Sequence, residues 1–277
     1  MMPTPQDFCF CTLALQKQFR RLAQNLARDI EKYSPGTSFV ILSDDPQDFR
    51  NYPNVLAFKH HQQGILKCYN DRQFVLKKAL SLFPVAIHID ADTKLTDYVP
   101  DDIEWQPGIT TGEFKAILNH GKNSRTPALQ QMFKELAAKL GVSIEEVNHI
   151  EEGLYIITRD GGREIDFLRQ WEKIGRYIEM KGSHDGDGNA MGLAVAKVGW
   201  TVKTEGWERL NQVRHHSYIT SHRHSSLEAN KPLSLTQKIS SFWDLQKRRI
   251  GYHYRLNKAR IIALKDFDFY YSSKTLP

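Results

Sequence analysis

The 277-residue sequence predicts an α/β protein built on a mostly parallel sheet flanked by helices. Three observations lead there. Strand-like apolar runs alternate with helix-period segments from Phe8 onward. The apolar run 85–89 follows two complete strand–helix passages. That run ends in two carboxylates, Asp90 and Asp92.

The elements follow in order. Residues 8–13 read as a first strand, in which Cys9 and Cys11 alternate with Phe8 and Phe10. A helix then carries Leu15, Phe19, Leu22, Leu26, Ile30 and Tyr33 at intervals of three and four, which forms one apolar stripe. Ser34-Pro35-Gly36 ends it. Residues 38–42 are a second strand leading into Ser43-Asp44-Asp45-Pro46, and a weaker third strand lies around 55–58. Residues 71–82 are helical, and Pro84 closes that segment before the strand 85–89. Further on, 108–114 is a candidate strand. Thr126-Pro127 opens a helix that Gly141 ends, and Ser143 with Glu146 has the pattern of a capping box for another short helix. Residues 154–158 read as a strand, 165–178 and 190–198 as helices, and 201–203 as a last strand.

Composition is that of a globular chain, 40% hydrophobic and 25% charged. No apolar run reaches the length of a membrane span, and the N-terminus lacks a basic-then-apolar leader. Three cysteines without paired spacing argue against a disulfide framework, so a cytoplasmic location is expected. The net charge of +6 is uneven. Residues 231–265 hold nine Lys/Arg against Asp244 alone, so the expected division is a catalytic domain over 1–228 and a basic, mainly helical extension over 229–277.

Four groups of residues carry candidate chemistry. In a strand, residues two apart share a face, so Asp90 and Asp92, flanking Ala91, are expected to converge with Cα atoms roughly 6–7 Å apart. Hard anionic oxygens at the carboxyl end of a strand suit Mg²⁺ or Mn²⁺ bridging to a diphosphate; the alternative is a solvated strand-to-loop turn. Asp44 and Asp45 stand beyond the second strand, as nucleoside contacts or as an Asp-Pro turn. Lys67 and Arg72 precede the acidic strand and are candidates to neutralise phosphate, or belong to a solvated face. His184-Asp185-Gly186-Asp187-Gly188-Asn189 feeds a helix, where Asp185 and Asp187 are candidates for base, acceptor or sugar contacts, and Asp187 or Asn189 for a helix cap. The histidines His215, His216, His222 and His224 offer a late metal ligand or are loop residues.

With these pieces the chain resembles the GT-A-fold nucleotide-sugar glycosyltransferases. The matching stretches are Cys11-Thr12-Leu13-Ala14 with its helix, Phe39-Val40-Ile41-Leu42-Ser43-Asp44-Asp45, the helix before Val85, Asp90-Ala91-Asp92, and Asp187-Gly188-Asn189-Ala190. The likeness spans roughly residues 7–225. It implies a GT-A sheet and transfer of a sugar from a nucleotide-diphosphate sugar, foremost a UDP-sugar, to a glycan, lipid-linked or small-molecule hydroxyl. Thr12, Leu13, Ala14, Asp44, Lys67, Arg72, Asp90, Ala91 and Asp92 would hold the donor, with Mn²⁺ or Mg²⁺ on Asp90 and Asp92. The glycogenin-like branch adds a late metal-binding His, which His216 or His222 would match, but its Lys-Pro-Trp is absent; Lys231-Pro232-Leu233 stands nearest.

Two rival readings stand beside this one. Asp90-Ala91-Asp92-Thr93 also resembles the nucleophile motif of haloacid-dehalogenase phosphohydrolases, and Asp185-Gly186-Asp187-Gly188 resembles their later acidic loop. In that family, however, the motif lies on a strand near the start of the domain. A non-catalytic nucleotide-sugar or polyanion-binding protein is the other rival. The basic tail, with Ile239, Phe242, Trp243, Leu245 and Ile250 among Lys247, Arg248 and Arg249, is expected either to pack on the domain or to lie on an anionic membrane's inner face. No nucleic-acid motif accompanies it.

Overall fold

Phe8 and Phe10 face one side of strand β1 (Phe8–Ala14) while Cys9 and Cys11 face the other, and the core divides in the same way. The computed structural model describes residues 7–112, 114–120, 126–184, 186–216 and 235–272. Parallel to β1 run β2 (Ser38–Ser43), β3 (Val55–Lys59) and β4 (Val85–Ile89). The remaining strands begin with β5 (Thr93–Leu95), β6 (Gly108–Thr111) and β7 (Phe114–Ala116). They end with β8 (Asn148–Ile150), β9 (Leu154–Thr158) and β10 (Arg214–His216). The main sheet has the order β3-β2-β1-β4-β9-β6, with β9 antiparallel to both of its neighbours. The fold is therefore α/β with a mostly parallel sheet.

On the phenylalanine face lies α1 (Gln16–Tyr33), which buries Ala23, Leu26, Ala27 and Ile30 against Phe10, Phe39 and Ile87. Phe19, expected in that stripe, is instead 41% exposed. The cysteine face carries α2 (Arg72–Leu82), α4 (Arg163–Met180) and α5 (Gly188–Lys197), packed around Trp171 and Tyr155. Burial pushes the Cys9 thiol up to about 12, and all three cysteines are free thiols. The helix α3 (Pro127–Leu140) starts on Thr126, whose side chain accepts from the Leu129 N–H, and stops at left-handed Gly141, as its sequence predicts.

Three expectations are corrected. The strand 108–114 is two strands in different sheets. They part at Gly112, where an added Cβ would lie 2.3 Å from the Trp207 ring, so the chain passes the indole only because a glycine is there. The Ser143/Glu146 pattern yields one 3-10 turn, because the Ser143 hydroxyl bonds the Glu145 carboxylate at 2.8 Å instead of a backbone N–H. Residues 201–203 contribute one bridge, Lys203 to Thr110, rather than a strand.

After α6 (Trp207–Gln212), α7 (Leu235–Ala263) and α8 (Phe267–Tyr271) form the C-terminal segment. Ala259, Ala263, Phe269 and Tyr270 join the main core, and Arg255 and Lys258 bond the backbone of Ile65 and the side chain of Gln63. The expected division near residue 228 falls outside the described residues. Among the described residues, no helix is long and apolar enough to cross a membrane.

Candidate functional site

The chain leaves β1 toward β2 and β3 on one side and returns to β4 on the other, so its winding reverses between β1 and β4. Open α/β sheets bind ligands beyond the strand carboxyl ends at such a point. Ala14 ends β1 there, Asp44 follows β2 and Asp90 follows β4. Thr12 and Leu13 pair with Ile41 and Leu42 just below this edge.

Asp90 and Asp92 do not share a strand. β4 stops at Ile89, and residues 90–93 form a β-turn closed by the Thr93 N–H donating to the Asp90 carbonyl at 3.0 Å. A turn, and not the strand pleat expected from the sequence, sets the direction of both carboxylates, and Ala91 between them is buried. The Asp90 N–H donates to the Gly153 carbonyl at 3.1 Å, which ties this turn to the loop between β8 and β9.

Arg72, at the start of α2, organises the site. Its Nη1 donates to both Asp187 oxygens, at 2.9 and 3.2 Å, and its Nη2 donates to Asp90 Oδ1 at 2.5 Å. Glu152 Oε2 lies 3.8 Å from Nη1. One guanidinium therefore meets three carboxylates, and the charge foreseen for a phosphate is already answered within the protein.

Asp187 is wholly buried ahead of α5, and its side chain does not cap that helix. Glu152 accepts from the Gly188 N–H at 2.9 Å, and its carboxyl bonds that of Asp187, so the two acids hold a proton between them. Burial drives the Asp187 carboxyl well above its usual range, against the pull of Arg72 and with the push of Glu152. For Glu152 burial also acts upward, but Arg72, the Asp187 bond and the Gly188 N–H outweigh it and hold the carboxyl below its usual range. Burial thus favours the protonated form at Asp187, while the partly exposed Glu152 is the member whose anionic form is favoured. Sequence reasoning assigns no role to Glu152. Its only signal is a pair of acids and a glycine, Glu151-Glu152-Gly153, at the mouth of an apolar strand.

Beneath Arg72, His88 of β4 and Tyr155 of β9 stand opposite each other with rings stacked at 4.6 Å. Burial, then the nearby guanidinium, keeps His88 neutral, while burial raises the Tyr155 phenol well above its usual range. The loop before α2 hangs on two further buried acids. Asp71 accepts from the Gln63 and Gly64 N–H groups, both at 2.7 Å, and Glu179 accepts from the Ile65 N–H at 2.7 Å. Lys67, on this loop, is exposed, with its ammonium 5.8 Å from the Tyr69 ring centre; the Arg72 guanidinium lies 5.4 Å from the same ring.

Asp44 accepts from the Gln16 N–H at 3.0 Å and from Arg20 at 2.7 Å, joining the end of β2 to the start of α1. Gln16 takes φ +74°, a left-handed conformation costly for a non-glycine residue, at the crevice mouth. His216 is backbone-paired opposite Thr93, one residue beyond Asp92. Its side chain, and Asp185, His222 and His224, lie outside the described residues.

Among the described residues, no group of three or more His, Cys, Asp or Glu side chains is arranged to hold a metal ion. A cavity of about 390 Å³ lies between α4, α7 and the loop before α2, and another of about 660 Å³ lies beside Trp207 and Arg214. Neither is lined by Asp90, Asp92 or Asp187. Comparison with known proteins gives no match, either to a family model or to a curated sequence.

Proposed function

We propose that this protein is a metal-dependent glycosyltransferase of GT-A type, moving a sugar from a nucleotide-diphosphate sugar, foremost a UDP-sugar, to an acceptor hydroxyl. The observation that carries this reading is the charge balance at the crevice where the winding reverses. Arg72 is held by Asp90 and Asp187, and Glu152 stays anionic beside them. A site with this excess of carboxylate repels a free diphosphate. A nucleotide diphosphate therefore enters together with a divalent cation.

The donor set fits such an ion. Asp90 and Asp92 are both partly exposed on the turn after β4, and two carboxylates completed by phosphate oxygens and water are what Mg²⁺ and Mn²⁺ take. When bound there, the ion would supply Lewis-acid neutralisation of the leaving diphosphate. Four parallel strands bordered by an antiparallel β9, with an acidic turn after β4, support the GT-A likeness.

The roles of the chain's own residues follow from burial. Arg72 fixes the Asp90 carboxylate in one orientation. Asp187, fully buried, positions Arg72 and Glu152 rather than touching substrate. Glu152 is the exposed member of the pair and is the carboxylate placed to accept the acceptor's proton or to stabilise positive charge on the sugar. Asp44, held by Arg20 and the Gln16 N–H, frames the nucleoside end of the crevice.

A thermal-shift panel of nucleotides and nucleotide sugars, with and without Mn²⁺, tests this reading. Selective stabilisation by one nucleotide diphosphate only with the metal is the expected result. Release of inorganic phosphate from phosphomonoesters without any donor sugar assigns the site to a phosphohydrolase instead.

A further inference from the structure

Among the described residues, the C-terminal helix is anchored to the domain through one side. Ala259 and Ala263 are buried, Phe269 and Tyr270 beyond the helix end follow them into the core, and Arg255 bonds the Ile65 carbonyl at 3.2 Å. On the opposite side, Trp243, Ile250, Tyr254, Ile261 and Leu264 are each 59–68% exposed. Their spacing of 7, 4, 7 and 3 residues keeps all five on one stripe at 3.6 residues per turn, over a length of roughly 30 Å.

Charge is arranged around that stripe. Lys247, Arg249, Arg260 and Lys265 are exposed to either side of it, Arg248 is exposed on the far side of the helix, and no Asp or Glu occurs between Leu245 and Lys265. Lys258 is turned to Gln63 at 2.7 Å and belongs to the anchored side. An outward apolar stripe whose charged neighbours from Leu245 to Lys265 are all cations suits a surface that is itself apolar within and anionic at its face. A second copy of this chain would set four cations against four, which like-charge repulsion opposes. A nucleic acid would answer the cations but leave Ile250, Ile261 and Leu264 in water.

We propose that α7 docks on an anionic lipid bilayer through its Trp243–Leu264 stripe, seated in the interface plane with the domain above it. This does not depend on the reaction assigned to the site. The cations draw the protein to the headgroups, and the apolar stripe then enters the acyl boundary. The face opposite stays on the domain, so docking needs no unfolding of the core.

Flotation of the full chain tests it, using vesicles of phosphatidylcholine alone or with roughly one-third phosphatidylserine. Binding is expected only to the phosphatidylserine vesicles, with loss on raising salt from about 0.1 M to about 0.5 M. Ile250→Asp with Ile261→Asp, and separately Lys247→Glu with Arg249→Glu, are expected to reduce the bound fraction at least about tenfold. All four side chains are exposed, so the melting temperature is expected to hold and serves as the folding control. Failure of the intact protein to float, equal flotation on neutral vesicles, or unchanged flotation of the Ile250→Asp/Ile261→Asp protein overturns the proposal. A dimer by sedimentation that those aspartates dissociate also overturns it, in favour of a second copy.

Discussion

Arg72 and Asp187 meet through two hydrogen bonds of 2.9 and 3.2 Å across 115 residues of chain, fully inside the protein. This contact joins α2 to the start of α5 and brings Asp90 and Glu152 into one cluster. Fold and chemistry are therefore linked at a single guanidinium. A substitution at Arg72 acts on stability and on the site together.

Arg72→Ala leaves Asp90 and Glu152 without their counter-charge and the buried Asp187 carboxyl without its donor. Removing one partner of a buried ion pair costs about 3–5 kcal/mol, and urea unfolding is expected to show a loss of that order. Arg72→Lys keeps the charge but not the planar fork, so its loss should be smaller. A cost below about 1 kcal/mol for the alanine variant would show that the cluster is not structural.

The shared proton gives stability a pH dependence of known sign. The Asp187 carboxyl titrates higher in the folded chain than in the unfolded one. Its stabilising contribution is complete below about pH 4 and is lost as pH rises through the folded value. Asp187→Asn carries a permanently neutral amide, so it removes this loss. Melting temperatures measured from about pH 5 to about pH 8 should show the variant gaining on the wild type as pH rises. A difference that stays flat, or that moves the other way, contradicts the assignment of the proton to Asp187. Glu152, held low, contributes in the opposite sense, and only as pH falls below the usual carboxylate range.

Gly188 lies against the strand that leads to Glu152. A Cβ there would sit 2.2 Å from the Ile150 carbonyl oxygen and 2.3 Å from the His149 ring. Gly188→Ala is expected to cost about 1–3 kcal/mol in chemical unfolding by forcing β8 and α5 apart. Because the Gly188 N–H also holds Glu152, the variant should lose turnover beyond its loss of folded protein. Wild-type stability and turnover together would show that the contact is easily relieved.

Phe269 and Phe267 stand two residues apart with opposite surroundings, 1% and 58% exposed. Phe269→Ala is expected to cost about 3–5 kcal/mol by thermal or urea unfolding, and Phe267→Ala less than about 0.5 kcal/mol. Equal small effects would mean that the C-terminal segment is not part of the core.

The main sheet was readable because buried strands and amphipathic helices repeat at different periods, as β1 with α1 and β2 illustrate. The direction of β9 was not, since Leu154–Thr158 is apolar throughout and such a run fits either orientation. Asp90, Asp187 and Arg72 were each visible as charged residues at element ends. What stayed hidden was their mutual contact, which depends on packing across 115 residues. Glu152, Asp71 and Glu179 escaped for a related reason. An acid whose partners are backbone N–H groups seven or more residues away along the chain has no local pattern to announce it. The strand assumed for Asp90 and Asp92 failed because the Thr93 N–H closes a turn on Asp90.

Titration calorimetry of UDP into the protein, with and without Mn²⁺, tests the central claim most directly. Binding is expected only with the metal, with a loss of at least about tenfold in affinity for Asp92→Asn, which removes one anionic ligand outside the Arg72 cluster. Metal-independent UDP binding that Asp92→Asn leaves unchanged would contradict it.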